Sequence, residues 1–275
     1  RSTADGVAEA IDATIAGSIR VSTTVSDDIV VARQHQPMTL AAELQRRLLP
    51  PDSFTSAGVA VSAAVEPAYD TGGDVFDYAI DGRSLFLAVL DARGHGLQAA
   101  TTATVATSAL RRARRTGADL VAIATEVAVA VNSIGIDHDF VSAVLVDLDL
   151  TTGSGRSLTA GHLPPLIVDG TVQAMPLEPT LPLGLVVRGN QSEPVIQDFQ
   201  LQHGQSLVLY SDGIIENAAQ DDGIAVGDDR FQRALLRHIE STEGGRHLAR
   251  SVVEELLAIT GPRLRDDATL MITTR

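Results

Sequence analysis

The sequence contains no lysine, no cysteine and no tryptophan, and all 21 of its basic residues are arginine. Each absence excludes chemistry. Without lysine there is no P-loop nucleotide hydrolase, no protein kinase and no Schiff-base enzyme, since each needs an amine at its centre. Without cysteine there is no thiol nucleophile, disulfide scaffold, iron–sulfur cluster or cysteine-zinc site. Any metal must be held by oxygen or histidine. Aromatic residues are also scarce, at 3%. Basic charge is outweighed: 35 acidic residues leave a formal charge of −14. That argues against nucleic acid and against anionic membrane surfaces as partners. No apolar run is long enough for a transmembrane helix. The N-terminal residues lack the pattern of a signal peptide, so a cytoplasmic protein is expected. The first residue is Arg1 rather than methionine, and further sequence upstream is expected.

What is present is a chain of 275 residues, 44% hydrophobic, enough to bury a large core. Val7, Ile11, Ile15 and Ile19 recur every four residues, a helical stripe. Residues 38–49 read as a short amphipathic helix with Leu40, Leu44 and Leu48 on one face and Thr39 as its N-cap, stopped by Pro50-Pro51. Residues 1–50 are therefore assigned to a helical linker or regulatory segment, and 51–275 to the main domain.

From residue 58 the pattern becomes one of short strands. Strands are expected at 58–65, 75–80 and 84–90, the last two joined at Asp81-Gly82. Two alanine-rich helices follow at 97–114 and 118–133, with Gly117 as a cap between them. Further strands are expected at 140–149, 156–160, 164–168, 171–175, 194–200 and 205–210, with Asp169-Gly170 as another hairpin turn. Helices at 228–240 and 246–259 precede a closing strand at 268–273. The acidic stretch 216–229 reads as a loop, either solvated or covering a site. Hairpins and block-wise helices indicate an α+β layered domain with antiparallel sheets.

Four aspartates stand at chain turns: Asp74 in GGDVFD, Asp91 in DARGHG, Asp212 in YSDGIIE and Asp266 in DDAT. Three of them adjoin apolar strands. An Asp-Gly pair alone only makes a turn. Carboxylates gathered at buried strand ends, however, repel by about 4 kcal/mol per pair at about 4 Å and an effective dielectric near 20. Arginine or hard divalent cations must offset this, and oxygen-only ligands suit Mg²⁺ or Mn²⁺.

These motifs, taken in order with FVSAVLVDLDLTTG, AGHLPPL and the preceding LQRRLLPP, resemble the PPM (protein phosphatase 2C-like) family, specifically its SpoIIE/RsbU-like bacterial branch. The resemblance covers about residues 40–275. It implies an α-β-β-α sandwich of two antiparallel sheets flanked by helices. It implies a pair of Mn²⁺ or Mg²⁺ ions and hydrolysis of phosphoserine or phosphothreonine on a protein. Carried over by motif, the metal carboxylates are Asp74, Asp91, Asp212 and Asp266, with Asp91 bridging. The carbonyl of Ala92 is a backbone ligand, and Asp267 is the second acid of the last motif. Arg93 is a candidate phosphate contact and His95 a candidate general acid, against the alternatives of a solvated arginine and a turn histidine. The branch implies an anti-anti-sigma-type STAS phosphoprotein as substrate, and an upstream sensor or a dimer through the N-terminal helix. This chain departs from the pattern at Thr71, Arg93 and Asn217.

Other matches were weighed. Asp147-Leu-Asp149-Leu-Thr151 fits the nucleophile motif of haloacid-dehalogenase-type phosphatases, which add a lysine this chain lacks. GGDVF resembles a cyclic-dinucleotide synthase signature but has Val75 for its second acid. His162 reads as structural, and His138, in a polar loop, has no assigned role. Arg111–Arg115 reads as charge at a helix C-terminus, although it could dock an acidic partner. A partner-binding module that keeps the fold without turnover is the alternative of a different class.

Overall fold

The structure, a computed structural model, describes Arg46 and residues 48–275, apart from 57, 69–71, 136–138, 177, 179, 186–193, 220–222, 242–244 and 261–263. The stripe at 7–19, most of the helix expected at 38–49, Thr71 and His138 therefore lie outside the described residues.

Eleven strands form two antiparallel sheets. The first sheet contains β1 (Ser53–Ser56), β2 (Val59–Glu66), β7 (Leu166–Val168), β8 (Val172–Ala174), β10 (Ser206–Tyr210) and β11 (Ala268–Thr274), in the order β1-β2-β11-β10-β7-β8. The second contains β3 (Asp74–Asp81), β4 (Ser84–Ala92), β5 (Val141–Asp149), β6 (Ser154–Ala160) and β9 (Ile196–Gln200), in that order. Helices α1 (Gly96–Arg115) and α2 (Leu120–Ser133) pack on the outer face of the second sheet. Helices α3 (Asp212–Ala219), α4 (Ile224–Glu240) and α5 (Leu248–Thr260) pack on the outer face of the first.

Strand periodicity produces this layering. In β4, Phe86, Ala88 and Leu90 pack with α1 and α2, while Leu85, Leu87 and Val89 face the opposite way into the space between the sheets. There they meet Val144, Val146, Leu207, Leu209 and Met271. The strand is buried on both faces, which is why it reads as an unbroken apolar run. On α1, small residues at 99, 103, 106 and 113 are buried, so the helix backbone lies close to the sheet. Its last turn carries Arg112, Arg114 and Arg115, which complement the helix dipole. Gly117 ends it with φ 79° and an N–H bonded to the Arg114 carbonyl at 3.0 Å. Asp119 then caps α2 by accepting from the Ala122 N–H at 2.9 Å.

The expected strands and helices are present with shifts of a few residues at their ends. Two elements differ. β1 follows directly on Pro50-Pro51 and is half-exposed, so it carries no apolar pattern. The segment 216–229 is not one loop: α3 runs to Ala219, and α4 begins at Ile224, before the expected 228. Ile214, Ile215 and Ala218 bury one face of α3, and Gly227 lets α4 approach it. A Cβ at Gly227 would lie 2.3 Å from the Ile215 carbonyl oxygen.

Candidate metal centre

The hairpin β3–β4 places Asp74 directly opposite Asp91 in register. Asp74 opens its strand, and Asp91 stands one residue from the end of the neighbouring one. The first sheet supplies the other two acids. Asp212 starts α3 immediately after β10, and Asp266 precedes β11, the strand paired with β10. The four expected aspartates thus gather from both sheets at one end of the sandwich.

Glycines permit this approach. A Cβ at Gly73 would lie 2.3 Å from the Ala92 carbonyl oxygen, and one at Gly72 would lie 2.3 Å from Asp267 Oδ2. A Cβ at Gly213 would lie 1.9 Å from the Asp267 carbonyl oxygen. In GGD and DG alike, the glycines are needed for close backbone contact as well as for turning.

Asp267 is placed differently from Asp266. It is 5% exposed, and its two oxygens accept from the Ala68 N–H at 2.7 Å and the Gly73 N–H at 2.6 Å. It ties the segment before β3 to the segment before β11. Asp266 is exposed, with one oxygen accepting from the Asp267 N–H at 2.8 Å.

Three of the acids are raised above the usual carboxylate range. Burial raises Asp74 well above the usual carboxylate range, and the charges of Asp91 and Asp267 add to it. Asp91 is pushed up to about 7, by burial first and then by Asp212 and Asp266. Asp266 is pushed up to about 6 by burial, with Asp212, Asp267 and Glu216 adding to it. Asp74 is 4% exposed, and its Oδ2 is buried without a hydrogen-bond partner. An orphaned, buried carboxylate oxygen among acids fits a hard cation site. Among the described residues, no three acidic or imidazole side chains stand close enough to enclose one ion by themselves. An open set fits Mg²⁺, which takes one or two carboxylates and keeps several waters.

The remaining candidates fall into place around this group. Ala92 is buried, with its N–H bonded to the Gly73 carbonyl at 3.1 Å. Arg93 is exposed; its guanidinium lies 5.5 Å from the Phe140 ring centroid, and its N–H donates to the Phe140 carbonyl at 3.1 Å. His95 is exposed at the N-cap position of α1. Ser142, opposite Asp91 on β5, donates to Asp91 Oδ2 at 3.4 Å. His162 is buried beside its own chain, with Nδ1 donating to the Leu163 carbonyl at 3.2 Å, and burial lowers its pKa.

The haloacid-type motif lies elsewhere, on the β5–β6 hairpin. Asp147 accepts from Ser84 Oγ at 2.6 Å and Arg156 Nη2 at 3.1 Å. Asp149 accepts from the N–H groups of Thr151 and Thr152, both at 2.8 Å, which makes it a turn-forming residue.

Three further residues had no assigned role in the sequence. Glu216 lies one helical turn after Asp212 and acts on Asp266. Asn217 is 1% exposed and bonds the backbone beside Asp266. Asp77, also on β3, is 2% exposed and is held by Arg111 of α1. Only the position of Glu216 and Asn217 just after the Asp-Gly motif could have pointed to them.

The architecture is that of a PP2C-type phosphatase domain. The SpoIIE domain of the sporulation family (Stage II sporulation protein E) matches residues 81–275, and the chain belongs to that family. Asp74 precedes the matched residues and is tied to them through its register with Asp91. The chain is 23% identical over 240 residues to the phosphoserine phosphatase RsbU of Bacillus subtilis, covering 86% of this chain and 69% of RsbU. It resembles the crystal structure of the RsbU and RsbW domains of Rv1364c from Mycobacterium tuberculosis, with TM-score 0.69 and 27% identity. That match covers 79% of this chain and 61% of the other, so this chain spans under two thirds of it. It also shares its fold with the SiaA-PP2C domain of Pseudomonas aeruginosa, with TM-score 0.69, 21% identity, and 93% and 98% of the two chains covered.

The shifted carboxylates have a consequence for stability. Asp91 and Asp266 titrate in the folded state near 7 and 6, well above an unfolded value of about 3.9. Between those values the folded chain holds protons that the unfolded chain has released. Their contribution is therefore fully present below about pH 4 and is lost as pH rises towards about 7. Cation binding needs the deprotonated form, so its effect runs the other way. The rise in melting temperature on adding Mn²⁺ should be small at pH 5 and large at pH 8, as measured by scanning fluorimetry. A rise independent of pH would contradict this assignment.

Proposed function

We propose that the chain is a PPM-type serine/threonine protein phosphatase that works with two divalent cations, Mg²⁺ or Mn²⁺. The observation that carries this reading is the opposed pair Asp74 and Asp91, joined by Asp212 and Asp266 from the other sheet, with a buried Asp74 oxygen left unbonded. In this reading the four carboxylates and the Ala92 carbonyl would hold the ions, with Asp91 the central carboxylate of the set. Asp267 serves by holding Gly73 and Ala68 in place rather than as a ligand.

Such ions supply charge that activates a water molecule and offsets the phosphoryl oxygens. The residues of this chain do the rest. Asp91 is set in its strand by Ser142, which directs one carboxylate oxygen. Arg93, braced on Phe140, presents a guanidinium fork that suits phosphate oxygens. Water attacks phosphorus in line, the bond from phosphorus to the serine or threonine oxygen breaks, and that oxygen takes a proton. His95, exposed beside Arg93, is the candidate donor.

The likeness to RsbU, a phosphoserine phosphatase, supports a protein phosphoester as substrate. We assign the substrate to the STAS class of anti-anti-sigma proteins, with residues 1–50 as a regulatory linker reaching an upstream sensor or a second copy. A cytoplasmic setting fits this role; no described helix is long and apolar enough to cross a membrane.

Phosphopeptide and p-nitrophenyl phosphate hydrolysis, assayed with Mn²⁺ and with chelator, tests the reading. Turnover should appear with Mn²⁺, fall to background with chelator and return when Mn²⁺ is restored. Turnover that survives chelation would overturn the metal mechanism. Absence of turnover despite Mn²⁺ binding would favour a partner-binding module.

A further inference from the structure

Asn217 stands where the family resemblance leads one to expect alanine, and it is among the most deeply buried polar residues of the chain, at 1% exposure. It sits on α3, five residues after Asp212. It reaches across to the segment before β11 and grips the backbone on both sides of one peptide unit. Nδ2 donates to the Asp266 carbonyl at 2.8 Å, and Oδ1 accepts from the Arg265 N–H at 2.7 Å. Ser211, at the other end of the Asp212 motif, grips the next unit. Its Oγ donates to the Asp267 carbonyl at 3.2 Å and accepts from the Thr269 N–H at 2.9 Å.

The carbonyls of both residues of the Asp266-Asp267 pair are therefore held by side chains from 211–217. Gly213 completes the fit, since the Asp267 carbonyl oxygen occupies the space where a Cβ would stand. The two acids that the first sheet contributes, Asp212 and Asp266, are thereby made parts of one rigid unit. Asp266 itself is exposed, and among the described residues its side chain has one hydrogen bond, a local one, so its position depends on the backbone that carries it.

We infer that Asn217 is a positioning residue that fixes Asp266 relative to Asp212 and so sets the affinity of the cation site. This inference rests on the metal-site reading above. Groups that orient metal ligands typically contribute 10- to 100-fold to affinity or activity. An alanine here would leave the Arg265 N–H and the Asp266 carbonyl to find other partners. An aspartate would keep the acceptor for Arg265 but set an oxygen against the Asp266 carbonyl.

The test is direct Mn²⁺ binding, followed by electron paramagnetic resonance of free Mn²⁺, for wild type, Asn217→Ala, Asn217→Asp and the core control Val127→Ala. Val127 is fully buried under the opposite helical layer, so its truncation reports general destabilisation. We expect the Mn²⁺ dissociation constant to rise at least about tenfold in both Asn217 variants and to stay within about twofold of wild type in Val127→Ala. The Mn²⁺ concentration for half-maximal turnover should rise in parallel, with kcat at saturating Mn²⁺ recovering most of its value. If either folded Asn217 variant binds Mn²⁺ as wild type does, the positioning role is overturned while the metal site stands. If the control weakens binding equally, Asn217 is merely structural. If wild type binds no Mn²⁺, the metal reading fails and this inference fails with it.

Discussion

Asp91→Asn should lower kcat by at least about 10³-fold, equivalent to roughly 4 kcal/mol of transition-state stabilisation. At the same time it should leave the metal-free protein as stable as wild type or more so. The two halves come from one cause. Asp91 lies between Asp74 on its own hairpin and Asp212 and Asp266 from the other sheet, and its pKa of about 7 records the cost of charging it there. Asparagine keeps the shape and removes the charge, so repulsion falls and the proposed metal ligand is lost together. At pH 8 the melting temperature of the metal-free variant should equal or exceed that of wild type, with each kcal/mol gained appearing as about 2–4 °C. Steady-state kinetics and scanning calorimetry on the same preparation check both parts. A variant that kept wild-type kcat would remove Asp91 from the mechanism. One that lost activity through unfolding would show that the acid is structural.

Arg111→Ala should be the most destabilising single change outside the apolar core. Arg111 Nε and Nη2 both bond Asp77 Oδ1, at 3.0 and 2.7 Å, and Nη2 also bonds the Leu48 carbonyl at 2.7 Å. Asp77 is 2% exposed, and its other oxygen is already without a partner. Removing the guanidinium strands a buried charge, which costs about 3–5 kcal/mol. For a domain of this size the melting temperature should fall by about 6–20 °C. Replacing both residues, Asp77→Leu with Arg111→Met, should recover much of that loss, because an apolar pair carries no desolvation penalty. Thermal melts of the single and double variants decide the matter. If the double variant is no better than the single, the damage comes from the lost Leu48 contact instead. Because Asp77 shares β3 with Asp74, the single variant should also weaken Mn²⁺ binding.

The strand pattern and the order of the acidic motifs were legible because both are local. Alternation within β4 assigns its two faces, and Asp-Gly before an apolar run announces a turn wherever it occurs. Asp212 carried that signature, Asp74, Asp91 and Asp266 stood in short motifs at strand ends, and the fold gathers them. Asp77 and Arg111 carried none. An aspartate within a strand and an arginine among five helical residues of RRARR look solvated until α1 is laid across the hairpin. Asn217 stood out only as a departure from the family pattern, and its role was hidden because its partners are backbone groups 48 and 49 positions away. The helix α3 was missed because it is only eight residues long and its apolar residues are buried by α4 and α5. The neighbours of β11 are non-local for the same reason: no short-range signal pairs it with β2.

That last pairing has a consequence for how the protein comes into being. β11 lies between β2 and β10, and the contact from Asp267 to Gly73 closes a span of 194 positions. The Asp74–Asp91 hairpin can form as soon as its own strands exist. Its counterpart cannot take shape until nearly the whole domain has left the ribosome and β11 has entered the sheet. Slow closure of so long a loop is expected to come late in folding. During synthesis, then, half of the centre waits exposed while the other half has yet to be made. The same strand that completes the sheet brings Asp266 into place, so the centre assembles only when the architecture itself is finished.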